Sequence, residues 1–167
     1  METYKIIEGF ENYSVSDHGN VKNNETARIL KKSITQQGYI RIGMQLNNKQ
    51  YKKLVHVLVA RAFTPNLENK KFVDHIDNCK TNNNITNLRW ATSVQNGQNR
   101  TLNKNSKTGQ KGVSYEKKTK KWQAYIYIDG LKIHLGKFTN IEDAKQARII
   151  KANQAFGIYT NACEKII

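Results

Sequence analysis

The chain has 167 residues and a mass of 19.2 kDa, with 38% hydrophobic and 25% charged residues. Lys and Arg number 28 against 13 Asp and Glu, which gives a net charge of +15 and a pI of about 9.8. The excess divides almost evenly between residues 1–100 and 101–167, which excludes a basic tail on a neutral domain and points to a polyanionic partner.

Further classes fall on composition. No apolar run approaches the roughly 20 residues of a membrane span. The start, Met1-Glu2-Thr3-Tyr4-Lys5, lacks an apolar signal core, so a cytoplasmic protein without membrane association is expected. Two cysteines, Cys79 and Cys163, cannot build a disulfide framework or a Cys-rich zinc site. A metal would be held mainly by O and N ligands.

Residues 1–55 read as β-rich. Glu8–Lys22 has the pattern of a short hairpin turning at Asp17-His18-Gly19. Gly38–Leu46 alternates, with Ile40, Ile42, Met44 and Leu46 on one face. Asn47-Asn48-Lys49 turns the chain and Tyr51–Val55 returns. From His56 the spacing becomes helical through Leu58, Val59, Ala62 and Phe63, and Pro65 ends the helix. Residues 66–100 hold an Asn-dense loop between two short apolar segments, and 97–110 read as a linker. Three strands are expected in Gly112–Tyr115, Trp122–Ile128 and Leu131–Leu135, with an Asp129-Gly130 hairpin turn. Thr139-Asn140-Ile141-Glu142 has the form of a capping box opening a helix to Phe156. Ile141, Ala144, Ala147 and Ala155 would form its apolar face.

The chemistry gathers in Val73-Asp74-His75-Ile76-Asp77 and the asparagines that follow. Phosphodiester hydrolysis needs a base near neutral pH, which His supplies. It also needs a divalent cation to stabilise the leaving oxygen. A hard cation takes carboxylate and amide oxygens. Asp74 could hold such an ion while His75 faces the attacking water, and an Asn carbonyl could hold the second ring nitrogen of His75.

The segments Val55–Phe63, Val73–Asp77, Asn82–Asn84, Asn87-Leu88-Arg89-Trp90-Ala91-Thr92 and Gln95-Asn96 resemble the HNH homing endonucleases of bacteriophage genomes. Ile7–Val21 resembles the N-terminal module that accompanies them. Gly112-Val113, Lys121–Ala124, His134–Phe138 and Glu142–Ala144 are similar to the three-strand-plus-helix DNA-binding domain of plant ethylene-response factors. The resemblance implies an α+β chain in four parts. A β-rich module spans 1–52 and a ββα-metal (His-Me finger) nuclease 53–100. A linker spans 101–110, and a three-stranded antiparallel sheet on one helix spans 111–161.

By the same resemblance, His75 is the general base, Asn87 accepts from it or orients it, and Asp74 and Asn96 hold Mg²⁺ or Mn²⁺. The role split among Asn82, Asn83, Asn84 and Asn87 stays open. Asn78 stands where the family has a glycine and would take the left-handed turn conformation. His56 reads as structural or phosphate-facing. Double-stranded DNA is the expected partner, of a monomer or homodimer, in the cytoplasm of a bacterial host cell or the nucleic-acid compartment of the host. Strand alternation puts Gln123, Tyr125, Tyr127, Lys132 and His134 on the face away from the helix, joined by Lys111 and Ser114. Such a sheet could enter the major groove, with Arg100, Lys104 and Lys107 tracking the minor groove. A non-catalytic DNA-binding regulator and a nuclease of low specificity are the alternatives.

Overall fold

The computed structural model describes residues 1–103 and 105–165. The chain forms two compact units, residues 1–93 and 94–167.

The first unit opens with β1 (Tyr4–Ile7), β2 (Phe10–Ser16) and β3 (Val21–Asn23), an antiparallel sheet in that order. A second sheet follows, of β4 (Ser33–Ile34), β5 (Ile40–Leu46) and β6 (Lys49–Leu54). Asn47 and Asn48 turn β5 into β6 with φ of +50° and +59°. Both central residues of a type I′ turn need positive φ, and Asn tolerates it. Leu46 then pairs with Lys49, so Ile42 and Met44 reach the core while Leu46 at the hairpin end stays exposed.

β6 runs straight into α1 (Val55–Phe63), which has no side-chain N-cap. Packing holds it instead. Val55, Leu58 and Val59 meet Ile7, Tyr13, Val15 and Val21 of the first sheet, Ile40, Ile42 and Met44 of the second, and Leu88. Each such aliphatic side chain contributes roughly 2 kcal/mol. One core therefore serves the whole of residues 1–93. The boundary expected at 52/53 does not separate two cores, because α1 is the shared wall. The unit closes with the hairpin β7 (Phe72–His75) and β8 (Leu88–Ala91).

The second unit contains α2 (Ser93–Gln98), then β9 (Val113–Glu116), β10 (Lys121–Ile128) and β11 (Leu131–Phe138) in the order β11-β10-β9, and α3 (Ile141–Phe156). Asp129 and Gly130 make the expected turn with φ of +50° and +80°. The cap of α3 is Asn140 rather than Thr139, its side chain accepting from the Glu142 N–H at 3.0 Å. The buried face of α3 is Ala144, Arg148, Ala152 and Phe156, one residue per turn, so Ala155 faces outward.

Arg148 is on that face because the chain end supplies its partner. Glu164, fully buried on a 3-10 turn, meets Arg148 Nη2 at 3.0 Å and accepts from Gln110 Nε2 at 3.3 Å. Burial pushes the Glu164 carboxyl above its ordinary range, against the pull of Arg148 and Lys111. Asn99 is also buried, its carbonyl accepting from Asn161 Nδ2 at 2.6 Å. The expected free linker at 101–110 is thus pinned at both sides, by Asn99 and by Gln110.

Candidate active site

β7 and β8 bring the chemistry together. Pairing sets Asp74 opposite Arg89 and His75 opposite Leu88. Neighbouring residues on a strand face opposite ways, and the two side chains have separate surroundings. Asp74 is 4% exposed, and its Oδ2 accepts from Arg89 Nη2 at 2.6 Å and Nε at 2.8 Å. His75 is 5% exposed, and its Nε2 lies 3.0 Å from Asn83 Oδ1. With the Asn83 amide oxygen as acceptor, the imidazole proton of this bond sits on Nε2.

The loop between the strands divides its asparagines by task. Asn78 takes φ of +61°, as expected of a residue replacing glycine. Asn82 donates to Asp77 Oδ2 at 2.7 Å. Asn83 holds His75. Asn84 caps the 3-10 turn Ile85–Asn87 through the Thr86 N–H. Asn87 does not meet His75, contrary to the expectation. Its Nδ2 donates to Asp77 Oδ1 and to the Asn82 carbonyl, and its Oδ1 accepts from the Asp77 N–H. The reason is register: the Ile76 N–H donates to the Asn87 carbonyl at 2.9 Å, which puts Asn87 beside Asp77 at the loop's neck. Burial pushes the Asp77 carboxyl up, but the bonds from Asn82, the Cys79 N–H and Asn87 more than offset it and hold it below its ordinary range.

His56, read as structural or phosphate-facing, packs against the site. Its ring lies 5.0 Å from that of His75 and 4.9 Å from that of Tyr39, centroid to centroid. It is 5% exposed, and its Nδ1 has no partner among the described residues. Burial first, and the neighbouring His75 second, lower its pKa to about 4. The unfolded chain therefore protonates His56 below about pH 6.5 and the folded chain only below about 4. Its contribution to stability is complete above pH 6.5 and is lost as pH falls toward 4, about 3 kcal/mol across the window. Urea unfolding at pH 7, 6 and 5, followed by Trp90 fluorescence with Trp122 replaced by Phe, should show this slope. His56→Leu should flatten it; an equal slope in the variant would assign the effect to another group.

The metal ligands named from sequence divide between the two units. Asp74 belongs to the first, while Asn96 sits half-buried on α2 in the second. Among the described residues no three His, Cys, Asp or Glu side chains converge to hold an ion. A cation at Asp74 would need amide or phosphate oxygens as further donors, and a carboxylate with an amide oxygen suits a hard ion. Arg89 Nε and Nη2 both donate to Asp74 Oδ2. The donor chemistry fits.

On the second unit's sheet, Ser114 pairs with Gln123, Tyr125 with His134 and Tyr127 with Lys132. Cross-strand partners share a face, so these six stand together, with Lys132 Nζ 4.2 Å from the Tyr125 ring centroid. Lys111 does not join them. It precedes β9, its Nζ donates to the Gln98 carbonyl at 3.2 Å, and it lies 3.6 Å from Glu164. Gly112 explains the turn away from the face: its φ is +63°, and a Cβ there would meet the Tyr125 carbonyl at 2.1 Å. Arg100 and Lys107 are exposed, and Lys104 lies outside the described residues. Trp90 donates to the Thr64 carbonyl at 3.0 Å. Both cysteines are free and exposed. No helix of the described residues is long and apolar enough to cross a membrane.

Parts of the chain are similar to known proteins. The model of the HNH endonuclease family matches residues 53–98, the span that holds Asp74, His75, the asparagine loop and Asn96. Residues 53–98 are thus similar to an HNH endonuclease domain. The NUMOD4 motif matches residues 2–44, ahead of the HNH domain. The chain is 41% identical over 97 residues to DNA endonuclease I-HmuI of Bacillus phage SP01, covering 58% of this chain and 56% of that one. It is 39% identical over 90 residues to the uncharacterized HNH endonuclease L245 of Acanthamoeba polyphaga mimivirus, covering 54% of this chain and 27% of that one. A solved structure of DNA binding and cleavage by the HNH homing endonuclease I-HmuI aligns with a TM-score of 0.57 at 40% identity, over 60% of this chain and 61% of that one. The chain thus spans about half or less of the length of these curated relatives. The α+β architecture agrees with these likenesses.

Proposed function

We propose that the protein is a metal-dependent DNA endonuclease of the homing type, with His75 as its general base. The bond from His75 Nε2 to Asn83 Oδ1 carries this reading, because it leaves Nδ1 as the nitrogen that takes a proton from water. That water attacks the phosphorus, the P–O3′ bond breaks, and the products are a 5′ phosphate and a 3′ hydroxyl. Asp74 would hold Mg²⁺ or Mn²⁺. Such an ion supplies charge stabilisation at the scissile phosphate. Arg89 holds the Asp74 carboxylate fixed in direction. The likeness to I-HmuI, a protein whose structure concerns DNA binding and cleavage, supports double-stranded DNA as the substrate.

The second unit would act as a recognition module like that of plant ethylene-response factors. Ser114, Gln123, Tyr125, Tyr127, Lys132 and His134 would enter the major groove. Arg100, Lys104 and Lys107 would meet phosphates nearby. One HNH site cuts one strand per engagement, so a monomer nicks and a homodimer can break both strands.

A supercoiled plasmid library of the source genome, incubated with protein and Mg²⁺, tests the reading. Discrete nicked or linear product that disappears with EDTA is expected. A smear would mean a nuclease of low specificity. Tight, salt-sensitive binding without cutting would mean a regulator.

A further inference from the structure

The N-terminal β-rich segment reaches Asn83, the residue that holds His75. Its turn between β2 and β3 brings Gly19 against Asn83. Gly19 has φ of +79°, and a Cβ on it would lie 2.8 Å from Asn83 Cβ, 3.2 Å from the Asn83 carbonyl and 3.3 Å from Val55 Cγ1. Contacts below 3.0 Å force something to move, and here the neighbour is the residue that holds His75.

The turn is also tied down. The Gly19 N–H donates to the Ser16 carbonyl at 3.0 Å, and the Asn20 N–H donates to Ser16 Oγ at 2.8 Å. The Ile85 N–H, two residues past Asn83, donates to the Asp17 carbonyl at 2.8 Å. The Thr3 N–H donates to Asp17 Oδ1 at 3.0 Å. Ser16 is fully buried and Asn83 is 4% exposed. The asparagine loop therefore cannot settle independently of the turn.

We propose that the Ser16–Asn20 turn is a positioning element of the nuclease site, and that Gly19 sets the place of Asn83 and through it the ring of His75. The inference rests on the reading of His75 as general base. It assigns the N-terminal segment a part in catalysis in addition to any part in DNA contact. A single ångström of displacement at a reacting group costs on the order of tenfold to a hundredfold in rate.

Gly9 supplies the control. It lies in the same segment with φ of +73°, and a Cβ there meets nothing within 4 Å. Gly9→Ala and Gly19→Ala carry a similar backbone penalty, but only the second pushes on Asn83. The test uses the full chain, labelled with ¹⁵N-histidine, and reads the His75 ring nitrogens by NMR without DNA. Cleavage is then measured under single turnover beside DNA affinity.

Wild type and Gly9→Ala should both show His75 as the Nε2–H tautomer, with cleavage rates within about twofold of each other. Gly19→Ala should mix the tautomers and slow cleavage by about tenfold or more at unchanged Kd. It should add nothing to Asn83→Ala in the double variant, since residues acting through one contact are not additive. Ser16→Ala, which loosens the turn without adding volume, serves if Gly19→Ala does not fold, and should shift His75 in the same direction by less. Unchanged His75 signals in Gly19→Ala, or in Ser16→Ala where that variant stands in, would overturn the proposal, as would an equal shift in Gly9→Ala. If wild type fails to cut DNA, the reading of the activity falls, while the NMR comparison still decides whether the turn positions His75.

Discussion

His75→Ala is expected to slow DNA cleavage by about 10²–10⁴-fold, the usual weight of a positioned general base, at unchanged DNA affinity. The size follows from what the side chain does. Its Nε2 is held by Asn83 at 3.0 Å. His56, although its ring is 5.0 Å away, is not a substitute. Its pKa of about 4 makes it a weak base, and it sits behind His75 against Tyr39. His75 is buried but bonds to a neutral amide, so its removal leaves an unpaired Asn83 oxygen and not an unpaired charge. The cost in stability should be about 1–3 kcal/mol, and the variant should remain folded for the binding control. Single-turnover cleavage with excess protein separates chemistry from release. A variant cutting within threefold of wild type would mean that another group activates the water.

The second large effect lies in the other unit. Arg148→Ala is expected to destabilise residues 94–167 by about 3–5 kcal/mol, the cost of stranding one member of a buried ion pair. Glu164 is fully buried, and its remaining cation, Lys111, is 3.6 Å away and also serves the Gln98 carbonyl. In a unit of this size the loss corresponds to a Tm lower by more than about 10 °C. The two tryptophans divide between the units, Trp90 in the first and Trp122 in the second, so fluorescence from each reports where the loss falls. Only the Trp122 transition should move. Replacing both partners, Arg148→Met with Glu164→Leu, should recover most of the stability, because two apolar side chains strand no charge. If the double variant melts as low as the single one, packing around Phe156 and not charge is the cause.

The site was legible as chemistry before it was legible as geometry. Asp74 beside His75 on a short strand required no tertiary information, only the needs of hydrolysis and the alternation of a strand. The assignment of Asn87 to His75 did not survive. Asn82, Asn83, Asn84 and Asn87 offer the same donors and acceptors within six positions. Nothing local decides among them until the loop closes at Ile76 and Asn87. His56 stood in a motif that drew notice, but its neighbour His75 is nineteen positions along the chain, beyond the reach of periodicity. Arg89 was likewise in view as part of a motif, and its pairing with Asp74 came only with the hairpin register.

By itself the sequence determined what short-range rules control. Asn47-Asn48 and Asp129-Gly130 make their turns because those residues tolerate positive φ. α1 ends before Pro65 because proline cannot continue a helix. Ile42 and Met44 are buried because a strand has a period of two. Tertiary structure alone decided the long-range matters. Residues 1–52 and 53–93 share a core, Glu164 returns to Arg148, Lys111 leaves the sheet face, and Gly19 stands against Asn83. Each depends on which segments meet after the chain has closed, and side chains of equal local aptitude are then sorted by the space and the partners left to them.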